Sequence, residues 1–230
     1  MRKPDSRSYW DEAARTDAYW HIATSSSADD VERFYATGAA ETDALLALCG
    51  IAPDEGRSVL EIGCGAGRMT RRLADLFGQV IALDVSAEML KHAQQVLADR
   101  DNVGYLHGNG TDLSGLAERS VDVVFSYITL QHVPTVEGQL SYVRETARVL
   151  RPGGQAALQV RSSGTVPVAL DLAGHVLHAM QGRHTFRREW RGVRVPEADL
   201  LTAARSRGAR VRLLRNGPRH TWLLMAAPTA

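Results

Sequence analysis

The stretch Val59-Leu60-Glu61-Ile62-Gly63-Cys64-Gly65-Ala66-Gly67 decides the fold, because an apolar strand runs directly into three alternating glycines. Glycine allows positive φ and lets a ligand lie against the main chain, and a helix predicted from Arg68 places its N-terminus just beyond. A dinucleotide-binding turn follows the pattern G-x-G-x-x-G, whose last glycine would fall at position 68. Arginine stands there, so the turn fits a nucleoside cofactor without a pyrophosphate better than a dinucleotide.

An acidic residue follows this turn at the distance that a ribose contact requires. Asp84 closes the second predicted strand, about 20 residues after the turn. There its carboxylate can accept hydrogen bonds from both ribose hydroxyls of an adenosine. The alternative is that Asp84 only caps a helix or a turn. Because it follows the glycine turn, the ribose contact is the favoured prediction.

Strands and helices alternate along most of the chain, which predicts an α/β fold with a largely parallel sheet. The last two strands are joined at Asn216-Gly217-Pro218 by a turn too short for a crossover helix, so they must be antiparallel. The predicted strands are 58–62, 80–83, 103–106, 121–127, 155–160, 209–214 and 221–226. The predicted helices are 39–48, 68–77, 86–97, 136–150 and 197–206.

Two segments depart from this alternation. Residues 1–37 are polar and rich in aromatic side chains, and we expect them to form an N-terminal cap on the α/β domain of residues 38–230. An insert at 162–195, with a helix predicted over 168–180, is too long for an ordinary connection. A long insert of this kind indicates a functional element.

Composition sets limits on the class of protein. The chain has 230 residues, 44% of them hydrophobic, so it can bury one sizeable core. It has no apolar run of about 18 residues, and its start, Met1-Arg2-Lys3-Pro4-Asp5, is too polar for a signal peptide. Cys49 and Cys64 lack metal-ligand spacing and would stay reduced in a cytosol. We therefore expect a cytoplasmic protein without a metal site.

The formal net charge of +1 conceals an uneven distribution. Residues 183–219 hold eleven arginines against three acidic residues, so the rest of the chain is acidic. A basic run can attract RNA or an anionic substrate, but arginines scattered over solvated surfaces are the favoured interpretation. The acidic remainder would repel a phosphate backbone, so no nucleic-acid partner is expected.

Five stretches, in this order, resemble the class I S-adenosylmethionine-dependent methyltransferases: VLEIGCGAGRMT, ALDVSAEML, HGNGTDL, SVDVVFSYITLQHVP and RVLRPGG. The resemblance covers nearly the whole chain. It implies a doubly wound, seven-stranded, Rossmann-like sheet with an antiparallel last strand, and S-adenosyl-L-methionine as the cofactor. The ligand site would lie at the carboxyl ends of the parallel strands, as in other open α/β sheets.

The resemblance also implies which residues contact the cofactor. Glu61 would face the methionine amino group, and Asp84 would hold the ribose. Val85 and Met89 would pack on the adenine. The complete expected set is Glu61, Gly63, Gly65, Asp84, Val85, Met89, Asn109, Gly110 and Ser126.

Two members of this set need a comment. The family often carries an aspartate after the third strand, which accepts a hydrogen bond from the adenine amino group, and this chain has Asn109 there, followed by Gly110. An amide oxygen can accept the same bond, so binding would survive with one charge fewer. Ser126 ends the fourth strand and would offer its backbone carbonyl to the methionine ammonium.

His132, just past the fourth strand, is the candidate general base, because it matches a histidine often found near the methyl group in small-molecule members of the family. A neutral imidazole can take a proton from a phenol, a carboxylic acid or an amine near pH 7. His132 could instead be a structural histidine in a tight turn, or could only position the substrate. An acceptor that is already unprotonated would need no base.

The acceptor pocket is expected between the fourth strand and the N-terminal cap. Tyr127 and Gln131 flank its mouth, Tyr19 and Trp20 are candidates for the opposite wall, and Arg161 could pair with an anionic substrate. Simple packing of the rings, and a surface position for the arginine, are the alternatives. Further candidates for the lining are Trp190, His178 and His220.

The end of the fourth strand indicates the class of acceptor. Residues 126–129 show neither the Asn/Asp-Pro-Pro-Tyr run of amino-base methylases nor the Pro-Cys nucleophile of cytosine C5 enzymes. The expected function is therefore methyl transfer to a small molecule, in natural-product biosynthesis if the cap and the insert enclose a bulky ligand. Two alternatives remain: a cofactor-retaining fold that catalyses another reaction, such as a cyclisation, and a non-catalytic binding protein.

Overall fold

A computed structural model describes residues 6–22, 30–163, 193–216 and 220–229, apart from the side chains of Trp20 and Asn216. Its strands are β1 (Asp54–Ile62), β2 (Phe77–Asp84), β3 (Val103–His107), β4 (Val121–Ser126), β5 (Leu150–Val160), β6 (Ser162–Ser163), β7 (Val195–Pro196), β8 (Arg210–Asn216) and β9 (His220–Ala226). Its helices are α1 (Ser6–Ile22), α2 (Val31–Cys49), α3 (Thr70–Leu76), α4 (Ala87–Val96), α5 (Val136–Val149) and α6 (Glu197–Arg205), with a 3₁₀ turn at Leu130–His132.

Within the described residues the main sheet has seven strands in the order β3-β2-β1-β4-β5-β9-β8. The first five strands pair in parallel, whereas β9 runs antiparallel to both β5 and β8. The doubly wound, seven-stranded α/β fold with an antiparallel last strand is confirmed. In this order the carboxyl ends of β1, β2 and β4 lie side by side at one edge of the sheet. The strand order changes direction between β1 and β4, and this switch point is where open α/β sheets bind ligands.

The sheet is covered on both faces, because successive residues of each strand enter different cores. Val59 packs with α2 and α3 side chains, whereas Leu60 packs on the side of α5 and α6. The same alternation separates Val123 from Val124 on β4. No helix in the described ranges combines the length and apolar character needed to cross a membrane.

Local sequence explains where several helices begin and end. The Asp30 carboxylate caps α2 by accepting the Arg33 N–H, and Gly50 ends that helix with a φ of +72°. Ser86 is the N-cap of α4, and its hydroxyl accepts the Met89 N–H at 3.1 Å. The predicted helix at 197–206 is confirmed as α6.

The predicted bounds are wrong for α2 and β5, and also for β1, which begins at Asp54, and for β2, which begins at Phe77 where a helix was predicted to end. α2 begins at Val31 rather than at residue 39, so the expected cap boundary at residue 37 lies inside a helix. Gly38 lies inside that helix, and close packing requires glycine there because a Cβ would lie 2.6 Å from the Arg68 carbonyl oxygen. β5 begins at Leu150 rather than at residue 155, so it includes the Pro-Gly-Gly sequence. The pairing of β5 with β4 shifts register at this sequence, as in a β-bulge. The helix predicted over 168–180 lies outside the described residues.

Candidate active site

The glycine turn after β1 has a backbone that other residues rarely adopt. Gly63, Gly65 and Gly67 have φ angles of +80°, +53° and +82°. The N–H groups of Gly63 and Cys64 donate to the Leu83 carbonyl oxygen at 2.7 and 3.0 Å. These bonds hold the turn beside the end of β2, at the carboxyl edge of the sheet.

Asp84 ends β2 with its carboxylate against this turn. Its two oxygens accept hydrogen bonds from the Gly65 and Ser86 N–H groups, both at 2.9 Å. Burial raises the pKa of the Asp84 carboxyl, although the backbone N–H groups lower it. Each carboxylate oxygen has a further lone pair. The group is therefore fixed in place and still able to accept hydrogen bonds from ligand hydroxyls.

Glu61 supplies a second buried carboxyl on the neighbouring strand. It is 4% exposed and accepts a 2.6 Å hydrogen bond from the Thr70 hydroxyl. Burial raises the pKa of Glu61 to about 7 against the lowering effect of the Thr70 bond, and the Asp84 charge adds to the rise. Buried carboxylates are normally paired with a cation or a set of donors. A positively charged ligand group beside Glu61 would restore its charged form.

These features fit S-adenosylmethionine, the cofactor that the fold family implies. The glycine turn packs so closely on its neighbours that a Cβ on Gly63 would lie 2.2 Å from the Thr129 side chain. Asp84 offers acceptors for a ribose, and Glu61 offers a counter-charge for an amino group. The residues present therefore suit an adenosine joined to an amino acid.

The side predicted to hold the adenine is assembled from β2, α4 and the loop after β3. Met89 is 1% exposed and packs with Ala66 of the glycine turn. Gly110 has a φ of +82° and lies so close to Val85 that a Cβ would be 3.1 Å from its side chain. His107, which sequence reasoning did not select, contacts the Val85 carbonyl oxygen through Nε2 at 3.0 Å.

Asn109 is used differently from the expectation. Its side-chain oxygen accepts bonds from the Thr111 N–H at 2.8 Å and the Asp112 N–H at 3.0 Å, and its amide nitrogen donates to the Asp112 carboxylate. An amide oxygen has two lone pairs, and this loop occupies both. In this conformation the Asn109 side chain stabilises the turn that follows it. Its oxygen is therefore not available to accept the predicted hydrogen bond from the adenine amino group.

α1 lies over the cofactor side of the site. Its buried alanines pack with Ala66 and Met89, and a Cβ on Gly65 would lie 2.8 Å from Cδ1 of Ile22. At the other end of the helix, the Trp10 ring makes an edge contact with the His132 ring, with 5.3 Å between centroids. α1, which is kinked at the non-helical Asp17, therefore reaches from the glycine turn to the candidate base.

The residues after β4 divide between the core and the site. Ser126 is buried and donates to the Ile62 carbonyl oxygen at 3.1 Å. The Tyr127 hydroxyl donates to Glu41 of α2 at 2.7 Å, and its ring stacks on Trp222 with centroids 5.8 Å apart. Burial raises the pKa of Tyr127, and the bond to Glu41 raises it further. The hydroxyl proton of Tyr127 is thus committed to α2, and towards a substrate the tyrosine can offer its ring or a hydrogen-bond acceptor, but no donor.

His132 and Gln131 lie together on the 3₁₀ turn at the mouth. Both are half-buried, and Gln131 Nε2 is 3.2 Å from His132 Nε2. Ile128, which was not predicted, is 42% exposed beside them and has a φ of +53°. Positive φ is rare for a β-branched residue and is typical of functional loops. No residue-type signal could have revealed it.

The structure gives less direct support to the other residues predicted to line the acceptor pocket. The Tyr19 ring packs edge-on against Phe34 with centroids 4.9 Å apart, as the packing alternative predicts. Trp20 belongs to α1. Arg161 follows β5, and its carbonyl oxygen accepts the Val195 N–H at 2.9 Å. Trp190 and His178 lie outside the described residues.

Comparisons with known proteins agree with this geometry. A family model described as "Methyltransferase domain" matches residues 60–158. The chain is 32% identical over 120 residues to a ubiquinone biosynthesis O-methyltransferase of Xanthomonas oryzae. The aligned region makes up 52% of this chain and 49% of that protein. It is also 37% identical over 112 residues to a malonyl-[acyl-carrier protein] O-methyltransferase of Pectobacterium atrosepticum. This aligned region makes up 48% of this chain and 41% of that protein. The chain thus spans less than half the length of these curated relatives.

A solved structure extends the likeness in fold. The crystal structure of a SAM-dependent methyltransferase from Aquifex aeolicus superposes with a TM-score of 0.56 at 21% identity, and covers 80% of this chain and 88% of that one. Residues 60–158, which the family model matches, include the glycine turn, Asp84 and His132. Residues 60–158 therefore match a methyltransferase domain, and the chain has the fold of the class I S-adenosylmethionine-dependent methyltransferases.

Proposed function

We propose that this protein transfers the methyl group of S-adenosylmethionine to a small-molecule acceptor. The observation that carries the proposal is the pair of buried carboxyls, Glu61 and Asp84, set around the glycine turn at the carboxyl edge of the sheet. Glu61 would bind the amino group and Asp84 the ribose, with Val85, Met89 and Gly110 around the adenine and the Ser126 carbonyl near the ammonium. The cofactor supplies an activated methyl group on a sulfonium.

The protein's own part in the reaction is binding, orientation and removal of water. α1 covers the glycine turn and reaches His132, so it can hold an acceptor in line with the methyl group. His132 would take the proton from an acceptor that must lose one. Gln131 lies beside it, and Ile128 offers an apolar contact at the mouth.

A small acceptor is favoured over a macromolecule. A helix packed across the site leaves little room for a bulky partner such as nucleic acid. Both relatives compared above carry names that place them as O-methyltransferases of small or carrier-bound molecules. We extend this to an acceptor of natural-product type, with the N-terminal cap at 1–37, Tyr19, Trp20, Arg161 and the 162–195 insert forming the pocket. A cytoplasmic site of action stays a prediction, with which the buried free thiols of Cys49 and Cys64 agree.

The decisive experiment is incubation of the whole chain with S-adenosylmethionine labelled in the methyl group and a panel of phenols, carboxylic acids, amines and thiols. A product heavier by one labelled methyl group supports transfer, whereas a product isomeric with its substrate supports a rearrangement. Asp84→Ala should abolish this gain in product mass when the cofactor concentration is limiting. Asp101→Ala, an exposed carboxylate beyond α4, is the matched control. A wild-type protein that binds no S-adenosylhomocysteine would refute the proposal.

A further inference from the structure

A single side-chain amide connects two histidines at the mouth of the site. Gln131 Nε2 lies 3.2 Å from Nε2 of His132, and Gln131 Oε1 lies 2.8 Å from Nε2 of His220. Gln131 and the two rings are half-buried. Hydrogen bonds of this length fix the amide between the two imidazole rings.

The antiparallel last strand explains why His220 reaches this place. β9 runs against β5, with Thr221 opposite Val160 at the end of β5. The first residue of an antiparallel strand therefore lies at the edge where the parallel strands end. His220 is that first residue, and it meets the 3₁₀ turn after β4 although 89 residues separate it from Gln131.

The amide makes the protonation of the two rings interdependent, because one of its ends only accepts hydrogen bonds and the other only donates. With the oxygen facing His220, the Nε2 of His220 must carry a proton, and the Nε2 of His132 must offer a lone pair. If the amide is reversed, His132 donates from Nε2 and His220 accepts at Nε2. In either arrangement, only one of the two rings carries a proton on Nε2.

We propose that His220 is a positioning residue which, through Gln131, sets the ring nitrogen of His132 that carries the proton. This inference rests on the proposed function, since the tautomer of His132 matters only where His132 acts as a base. In the arrangement observed, Nε2 of neutral His132 accepts the Gln131 N–H and Nδ1 carries the proton, so the one lone pair of the ring is engaged by the amide. In the reversed arrangement Nε2 carries the proton, and the lone pair that can take a proton from an acceptor lies on Nδ1. The Trp10 contact packs on the same ring, so the imidazole is held while its tautomer is selected.

Formation of the His132 imidazolium requires the reversed arrangement. The charged ring has N–H groups on both nitrogens, and its Nε2 must then donate to the amide oxygen. Gln131 consequently turns its nitrogen toward His220, whose Nε2 becomes the acceptor. Proton uptake by His132 is thus coupled to a reorientation of one amide and to a change of tautomer at His220.

The test is nitrogen-15 NMR of the whole chain labelled at histidine, with the His132 signals identified by their loss in His132→Ala. In the wild type, the His132 Nε2 signal should fall in the unprotonated range. His220→Leu removes the donor and should move that signal toward the protonated range, whereas His220→Gln keeps an N–H at a similar distance and should restore it. His92→Ala, on α4, controls for loss of a histidine elsewhere. Unchanged His132 signals in a folded His220→Leu protein would overturn the proposal.

Gln131→Glu gives an independent measurement if His220→Leu fails to fold. A carboxylate accepts hydrogen bonds but does not donate, so the His132 Nε2 signal should move fully into the protonated range. An unprotonated Nε2 in this variant would also overturn the proposal. Calorimetric binding of S-adenosylhomocysteine is measured on the wild type in parallel. Failure of that binding would refute the proposed function, whatever the imidazole signals show.

Discussion

The Asp11 carboxylate of α1 accepts a 2.6 Å hydrogen bond from the hydroxyl of Ser86, two residues beyond Asp84. The same carboxylate faces the Glu88 N–H at 3.3 Å, at the N-terminus of α4 where a negative charge is favourable. The Ser86 N–H, in turn, donates to Asp84. Through Ser86, the docking of α1 and the orientation of the ribose-binding carboxylate depend on each other.

Asp11→Asn should loosen α1, because it removes the charge from these two bonds. Hydrogen exchange across residues 6–22 should become several-fold faster, and S-adenosylhomocysteine should dissociate faster. In the wild type, the same ligand should slow exchange across this helix and as far as about Tyr35. Glu12→Gln is the matched control, because the Glu12 carboxylate forms an ion pair with Arg15 of the same helix. Equal exchange in both variants would show that Asp11 does not hold the helix.

Asp84→Ala should weaken binding of S-adenosylmethionine and S-adenosylhomocysteine by at least about tenfold. The reason is the loss of charge-assisted hydrogen bonds to the ribose, worth about 1.5–3 kcal/mol each. Isothermal calorimetry on the folded variant measures the change, with Asp101→Ala as the control. Wild-type affinity in Asp84→Ala would remove the ribose assignment.

Glu61 should make the free energy of unfolding depend on pH. Its pKa is about 7 in the folded protein and near 4.5 in an unfolded chain, so between these values the folded state holds the additional proton. The free energy of unfolding of the ligand-free protein should therefore fall as pH rises from about 4.5 to about 7. Glu61→Gln should reduce this slope and leave the part due to Asp84, whose pKa is also raised. Urea denaturation at several pH values measures it, and the exposed Glu55→Gln should keep the wild-type slope.

The same shift predicts proton release on ligand binding. An ammonium group beside Glu61 stabilises its charged form, so binding of S-adenosylhomocysteine near pH 6 should expel a proton. Calorimetry in two buffers of different ionisation enthalpy detects the release. Identical heats in both buffers would argue against contact between the amino group and Glu61.

His132→Ala should lower kcat by about 10²–10⁴-fold on an acceptor that must lose a proton, while cofactor affinity stays nearly unchanged. Only proton removal is lost in this variant. If His132 is only structural, the melting temperature should drop and kcat should stay within several-fold of the wild-type value. A thiolate acceptor serves as the control, because it needs no base.

Gly63→Ala and Gly50→Ala separate backbone strain from a steric clash. Both positions have positive φ, and a left-handed alanine costs about 1–2 kcal/mol. A Cβ at Gly50 has nothing within 4 Å, whereas one at Gly63 would meet the Thr129 side chain at 2.2 Å. Gly63→Ala should therefore destabilise the protein more, and should also weaken binding of S-adenosylhomocysteine. Equal losses in urea denaturation would mean that the turn relaxes around the added methyl group.

Local patterns were sufficient for the sheet and for the glycine turn. Val59 and Val123 stand in mainly apolar stretches that mark strands buried on both faces, and positive φ at Gly63 favours a residue without Cβ. Asp84 was found because its distance from the turn follows from one helix and one strand. These features depend on residues that are near in sequence, so composition and spacing predict them.

The structure alone decided which side chains meet across the site. Packing of α1 placed Trp10 against His132, and packing of α2 brought Glu41 to the Tyr127 hydroxyl. The contact between Gln131 and His220 arises from the antiparallel course of β9. Such contacts join residues far apart in sequence, and their geometry depends on how whole elements pack, which no local pattern of residues encodes.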